Sequence, residues 1–210
     1  MTRLSIDPIA PDDGVLQAAV RAIRGGGIVA MPTDTLYGLA ANPFDAAALA
    51  AIRWLKERPA ERAIPLVAAD ADQIAAAIGA LPVLARLLAI RFWPGPLTML
   101  MPAPDRLPSA VTGGTGRVGV RVPAHAVARA LCAACGTPLT ATSANRSGRP
   151  ATNDPDAVAE SLGGGIDLLL DAGVTPGGPP STIIDVTDAP PRIVRQGAIP
   201  WESIQTCLGL

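Results

Sequence analysis

A chain of 210 residues with 49% hydrophobic content has ample material for a sizeable buried core, and aromatics at only 3% require that core to be built from aliphatic layers. With 17 basic against 18 acidic residues, a net charge of −1 excludes a chain-wide field for gripping a polyanion. The N-terminal stretch MTRLSIDPIAPDDG has no apolar leader core and no window is long enough to span a bilayer, so a soluble, cytoplasmic chain folding as one domain over residues 1–210 is expected.

Asp12 and Asp13 precede Leu16, Ala19, Val20 and Ile23, a helical repeat with acidic caps that Gly25, Gly26 and Gly27 stop. IVAMP, residues 28–32, reads as a short buried strand running into the polar loop TDTLYGL. Asp45 opens an Ala-rich helix that ends at Lys56, because Pro59 forbids continuation, and IPLVAA, residues 64–69, is the next strand. Asp70 and Pro82 begin two helices, the second ending near Phe92 before Pro94, Gly95 and Pro96. LTMLMPA and VGVRVP read as strands on either side of a Gly/Thr-rich loop, residues 111–116. A helix from His125 to Cys135, a strand PLTAT, the polar loop TSANRSGRP, a helix from Asp154 and three strands, DLLLD, STIIDV and RIVRQG, complete the chain. Helices alternate with strands early and strands crowd together late, which predicts an α/β fold with an open mixed sheet covered by helices. Ligands of such sheets sit beyond the strand ends. Four polar clusters fall there: residues 33–37, 56–62, 117–121 and 143–149.

KERPAER gathers Lys56, Arg58 and Arg62 at a helix end, where cations either relieve the helix dipole or form a phosphate clamp of one mobile ammonium and planar guanidinium forks. It is not a Walker loop, and GGTGRVG lacks the Lys and following helix that one needs. Arg121 interrupts an apolar strand. If it faces inward it must pair, with Asp171, with Asp185 or with a ligand carboxylate; on an edge strand it would face water. Ser143 as a nucleophile would need a base, yet there is no G-x-S-x-G and a single histidine, His125. Cys132 and Cys135 form a C-x-x-C within a helical segment and read as buried small hydrophobes rather than a metal or redox pair.

Taken in order, PTDTLYGL, KERP, FWPGPLT, VRVP, TSANRSGRP, STIIDV and RQGAI, which extend over almost the whole chain, resemble the YrdC family. The resemblance implies a strongly twisted open α/β sheet with a concave basic face, and a reaction in which L-threonine, bicarbonate and ATP give threonylcarbamoyl-adenylate, pyrophosphate and water. ATP is then a substrate, with Mg2+ expected on its phosphates. The product would feed tRNA threonylcarbamoyltransferase machinery, with at most weak tRNA contact by this chain. Residue by residue, Lys56 and Arg58 match the K-x-R that contacts the reacting phosphates and Ser143 and Asn145 the nucleotide-binding S-x-N. Arg195 matches a further nucleotide contact, and Arg62 and Arg117 stand where ATP is also touched. Thr35, Arg121 and Ser181 match threonine contacts, with Arg121 on the carboxylate. Some family members have a histidine where this chain has Val67, Ala68 and Ala69, and longer members append a linker and second domain beyond the helix that here begins at Trp201. An RNA-binding module and a carbamoyl-adenylate-forming carbamoyltransferase are the alternatives.

Overall fold

The computed structural model describes residues 1–210. In chain order it runs β1 (Thr2–Ser5), α1 (Asp13–Arg24), β2 (Val29–Met31), β3 (Gly38–Ala40), α2 (Ala46–Lys56), β4 (Leu66–Val67), α3 (Ala71–Ile78), α4 (Val83–Phe92), β5 (Leu97–Pro102) and α5 (Ser109–Thr112). There follow β6 (Arg117–Arg121), α6 (Ala126–Cys135), β7 (Leu139–Thr140), β8 (Thr142–Ser143), α7 (Pro155–Leu162), β9 (Leu168–Asp171), β10 (Thr182–Asp185), β11 (Arg192–Arg195) and α8 (Trp201–Leu208).

Four of the eight helix starts, those of α1, α2, α3 and α7, are set by aspartate caps. Asp12 accepts from the Val15 N–H, Asp45 from Ala47 and Ala48, Asp70 from Gln73 and Asp154 from Asp156, each satisfying amides that the first turn leaves unpaired. The expected stripe Leu16, Ala19, Val20 and Ile23 is the buried face of α1, packed with α6 in an aliphatic cluster that takes in Cys132. That cysteine is fully buried and burial pushes its thiol well above the usual range. C-x-x-C is here core packing.

The mixed α/β architecture with strands covered by helices is as expected, but the strands divide between two sheets rather than one, β1-β9-β2-β3-β8 and β11-β10-β5-β6-β4-β7, and β1 and β3 join those read from the sequence. The chain passes from one to the other between β7 and β8, within the single run PLTAT that reads as one strand. Thr140, fully buried, staples this crossing: its hydroxyl donates to the Leu39 carbonyl at 3.0 Å and accepts from the Ala41 N–H at 2.8 Å. β4 is shorter than the expected residues 64–69 because Pro65 has no N–H to give to the ladder, although the Ala68 N–H still reaches the Arg121 carbonyl. No helix is long and apolar enough to cross a membrane.

Candidate active site

The strand ends of β4, β5, β6, β8 and β10 and the loop after β2 surround a cavity of about 640 Å³. Four arginines line it, Arg58, Arg121, Arg149 and Arg195, and no carboxylate residue does. Only Arg121 has a carboxylate partner; Arg58, Arg149 and Arg195 are in no ion pair. Such a wall attracts anions, because a half-buried guanidinium without a counter-charge gains most when one arrives. Burial, followed by the neighbouring Arg62 and Arg53 charges, lowers the pKa of Arg58. Burial and then Arg121 do the same for Arg195.

One end of the cavity is hydroxyl-rich. In the loop after β2, Thr33 Oγ1 donates to the Leu36 carbonyl at 2.6 Å and accepts from the Thr35 and Leu36 N–H groups, a local turn that fixes Thr35. The Thr35 carbonyl accepts from Thr175 Oγ1 and from the Gly177 N–H, so the Gly/Pro-rich segment before β10 straps this loop in place. Arg121 projects from the end of β6. Its Nη2 donates to Asp34 Oδ1 at 2.5 Å, its Nε to the Gly95 carbonyl at 2.9 Å, and its Nη1 lies 3.5 Å from Thr35 Oγ1. The sequence leaves Asp171, Asp185 or a ligand carboxylate as the partner, and of the two protein candidates neither is used: Asp171 pairs with Arg3 and Asp185 with Arg117, and Asp34 takes the place. Ser181 Oγ lies 2.9 Å from Thr98 Oγ1 and accepts from Arg195 Nη2 at 3.1 Å. Arg195, matched to nucleotide, therefore stands beside Ser181, a hydroxyl matched to threonine.

The other end is the turn after β8. Asn145 Nδ2 donates to the Arg146 and Arg149 carbonyls, and Gly148 takes the left-handed φ of 82° that closes the curl. Ser143, Asn145 and Arg149 line the cavity here, with Arg58 arriving from the end of α2. Arg58 Nη2 donates to the Ala63 carbonyl at 2.6 Å, which sets its direction. His125 stands at the N-terminal end of α6 without a side-chain capping bond and is not in the lining, so Ser143 has no imidazole beside it.

Thr35, Arg58, Arg121, Ser143, Asn145, Ser181 and Arg195 are thus brought to one cavity, while Lys56, Arg62 and Arg117 are not. Lys56 is only 1% exposed and its ammonium is turned into the protein, onto the Ser143 and Asn145 carbonyls. Arg62 is exposed beyond the Pro59 turn. Arg117 sits at the opposite end of β6 from Arg121, about 13 Å away at strand rise, and is engaged with Asp185 at 2.7 Å. Two lining or supporting residues were not singled out from sequence: Arg149, hidden among turn residues, and Asp34, whose only signal was its place in the polar loop TDTLYGL. No group of three or more His, Cys, Asp or Glu is gathered that could hold a metal ion.

Residues 21–197 match the model of the Sua5–YciO–YrdC family, described as telomere recombination. The chain is 40% identical over 194 residues to the threonylcarbamoyl-AMP synthase of Pyrococcus abyssi, covering 92% of this chain and 57% of that protein. It is 37% identical over 188 residues to the threonylcarbamoyl-AMP synthase of Chromobacterium violaceum, covering 90% and 96%. The crystal structure of P. abyssi Sua5 complexed with L-threonine superposes with a TM-score of 0.94 at 37% identity, over 100% of this chain and 61% of that one. The chain thus spans about three fifths of the P. abyssi protein's length.

Proposed function

The chain belongs to the Sua5–YciO–YrdC family, and from that premise we propose that it is a threonylcarbamoyl-AMP synthase, converting L-threonine, bicarbonate and ATP to threonylcarbamoyl-adenylate, pyrophosphate and water. The observation that carries the reading is the cavity itself. A hydroxyl-rich end built on a half-committed arginine and a turn flanked by two unpaired arginines open into one space.

The reaction joins two anions, a carbamate and a triphosphate, so the main task is cationic positioning and charge stabilisation rather than proton transfer. Arg121 spends Nε and Nη2 on Gly95 and Asp34. Nη1 is left to take the threonine carboxylate, with the Thr35 hydroxyl 3.5 Å away and Ser181 in the same lining. The neutral threonine amine captures carbon dioxide from bicarbonate, and a carbamate oxygen then attacks the α-phosphate as pyrophosphate leaves. Arg58 and Arg149 meet the phosphate charge, and the Ser143 hydroxyl and the turn's backbone hold the nucleotide. Leu66 and Val67 give this wall an apolar surface, which limits water around a carbamate prone to lose carbon dioxide. Arg195, through Ser181, holds the side of the cavity between the two substrates.

The lining carries no carboxylate to ligate Mg2+. Mg2+ would be held by the ATP phosphates and water, where it would neutralise phosphate charge. Residues 1–210 act as one domain in this reading, in the cytoplasm, and the adenylate passes to a tRNA threonylcarbamoyltransferase, with weak tRNA contact at most by this chain. Pyrophosphate release from ATP that requires both threonine and bicarbonate is the test; equal release with threonine omitted would remove the proposal.

A further inference from the structure

Lys56 is the only lysine among the chain's 17 basic side chains. Every other cation is an arginine, including all that line the cavity. The lone ammonium is 1% exposed, and it does not line the cavity. Its Nζ lies 2.5 Å from the Ser143 carbonyl, 2.5 Å from the Asn145 carbonyl and 3.4 Å from Asn145 Oδ1. An ammonium has three protons to donate, and three acceptors meet them. The same residue's own carbonyl accepts from the Ser147 N–H at 2.8 Å. Next along the chain, Glu57 takes a left-handed φ of 52° and its carboxylate accepts from Arg146 Nη1 at 2.8 Å. That turn of the backbone sends successive residues different ways: Lys56 into the turn, Glu57 to its outer side, Arg58 to the cavity.

We propose that Lys56 is a positioning residue that clamps the turn of Ser143, Asn145 and Ser147 to the end of α2 and does not itself touch the triphosphate. Reaching a phosphate would strip the donor from two carbonyls that have little or no contact with water, one buried and one part-buried. A compact ammonium is also the one cation whose donors radiate from a single point. A planar guanidinium fork cannot converge on three oxygens arranged around one atom, which gives a physical reason for lysine here in a chain that otherwise uses arginine. Asn145 belongs to the same frame, since its Oδ1 accepts from Lys56 while its Nδ2 ties down the Arg146 and Arg149 carbonyls. The consequence for ATP rests on the synthase reading; the clamp itself does not.

Because Lys56 is the only side-chain amine, acylation with acetic anhydride followed by peptide mass analysis reads one site against the chain's N-terminal amine. The expected result is N-terminal labelling with Lys56 spared, equally with and without ATP. Ready acylation of Lys56 in the free protein, suppressed by ATP, would overturn the clamp in favour of a phosphate contact. Two variants add an independent readout. Lys56→Met and Lys56→Arg should both lower the melting temperature and weaken ATP by roughly 10- to 100-fold, as charge-assisted bonds that shape the turn are lost, while threonine affinity changes by less than about 3-fold. Wild-type ATP affinity and turnover in Lys56→Arg would contradict the proposal, as would an unchanged melting temperature in Lys56→Met. If the wild-type protein binds no ATP, the synthase reading fails while the acylation and melting results still judge the clamp.

Discussion

Replacing Arg121 with lysine separates what this side chain does for the fold from what it does for a ligand. The guanidinium is 9% exposed and its partner Asp34 14%, so neither end of the pair is screened as a surface salt bridge would be. Lysine keeps the charge opposite Asp34 and loses the fork. The Gly95 carbonyl, now reached by Nε at 2.9 Å, loses its side-chain donor, which costs about 1–3 kcal/mol of stability. The second loss is at Nη1, the nitrogen not committed to Asp34 or Gly95. If it holds one oxygen of the threonine carboxylate, a charge-assisted bond of about 1.5–3 kcal/mol disappears and threonine weakens by roughly 10- to 150-fold. If ATP is held at the other end of the cavity, its affinity should change by less than about 3-fold. Melting temperature and calorimetric titrations of threonine and of ATP on the one variant read all three quantities. A melting temperature loss with threonine affinity intact would refute the reasoning and leave Arg121 as an internal strut for the loop after β2.

Arg58→Ala should cut turnover by roughly 100-fold or more, because an unpaired guanidinium meeting developing phosphate charge is worth about 2–4 kcal/mol; near-normal turnover in a folded variant would return it to ordinary surface charge. Thr140→Val keeps the shape and removes the hydroxyl that staples the two sheets, orphaning the Ala41 N–H, so denaturant unfolding should show a loss of about 1–3 kcal/mol with threonine and ATP affinities unchanged. Burial alone would raise the Asp185 pKa, but the hydroxyl and N–H bonds from Thr187, with the Arg117 and Arg192 charges, win and hold it below the usual carboxylate value. Its folded pKa being the lower one, its contribution is complete above the unfolded pKa and is lost as pH falls through the folded one. Asp185→Asn should therefore narrow the stability difference between neutral pH and acid, a narrowing that denaturant titrations at both would either show or deny. Binding of tRNA should be weak and fall steeply with salt, since only a local basic wall is available; nanomolar, salt-resistant binding would point to an RNA module.

Helices α1, α2, α3 and α7 were readable because each begins on an aspartate cap, Asp12, Asp45, Asp70 or Asp154, ahead of a run of helix-forming apolar residues. β3 was not, because Gly38, Leu39 and Ala40 carry no alternation and become a strand only by pairing with β2 and β8. The site followed the same division. That Arg121 needs a partner follows from its apolar neighbours alone, but the partner lies 87 residues away and no local rule selects Asp34 over Asp171 or Asp185. Arg117 and Arg121 look like one cluster in a linear reading, yet they are opposite ends of a strand. Lys56 and Arg58 look like one clamp, yet the left-handed Glu57 between them turns one inward and the other to the cavity.

A threonylcarbamoyl-AMP synthase must pass a carbon from bicarbonate into an adenylate made from threonine. Incubation of the protein with ATP, threonine and ¹³C-bicarbonate, with mass analysis of the nucleotide products, should give threonylcarbamoyl-adenylate that carries the heavy carbon together with an equal amount of pyrophosphate. Pyrophosphate released without that labelled product, or a threonine adenylate of unlabelled mass, would contradict it.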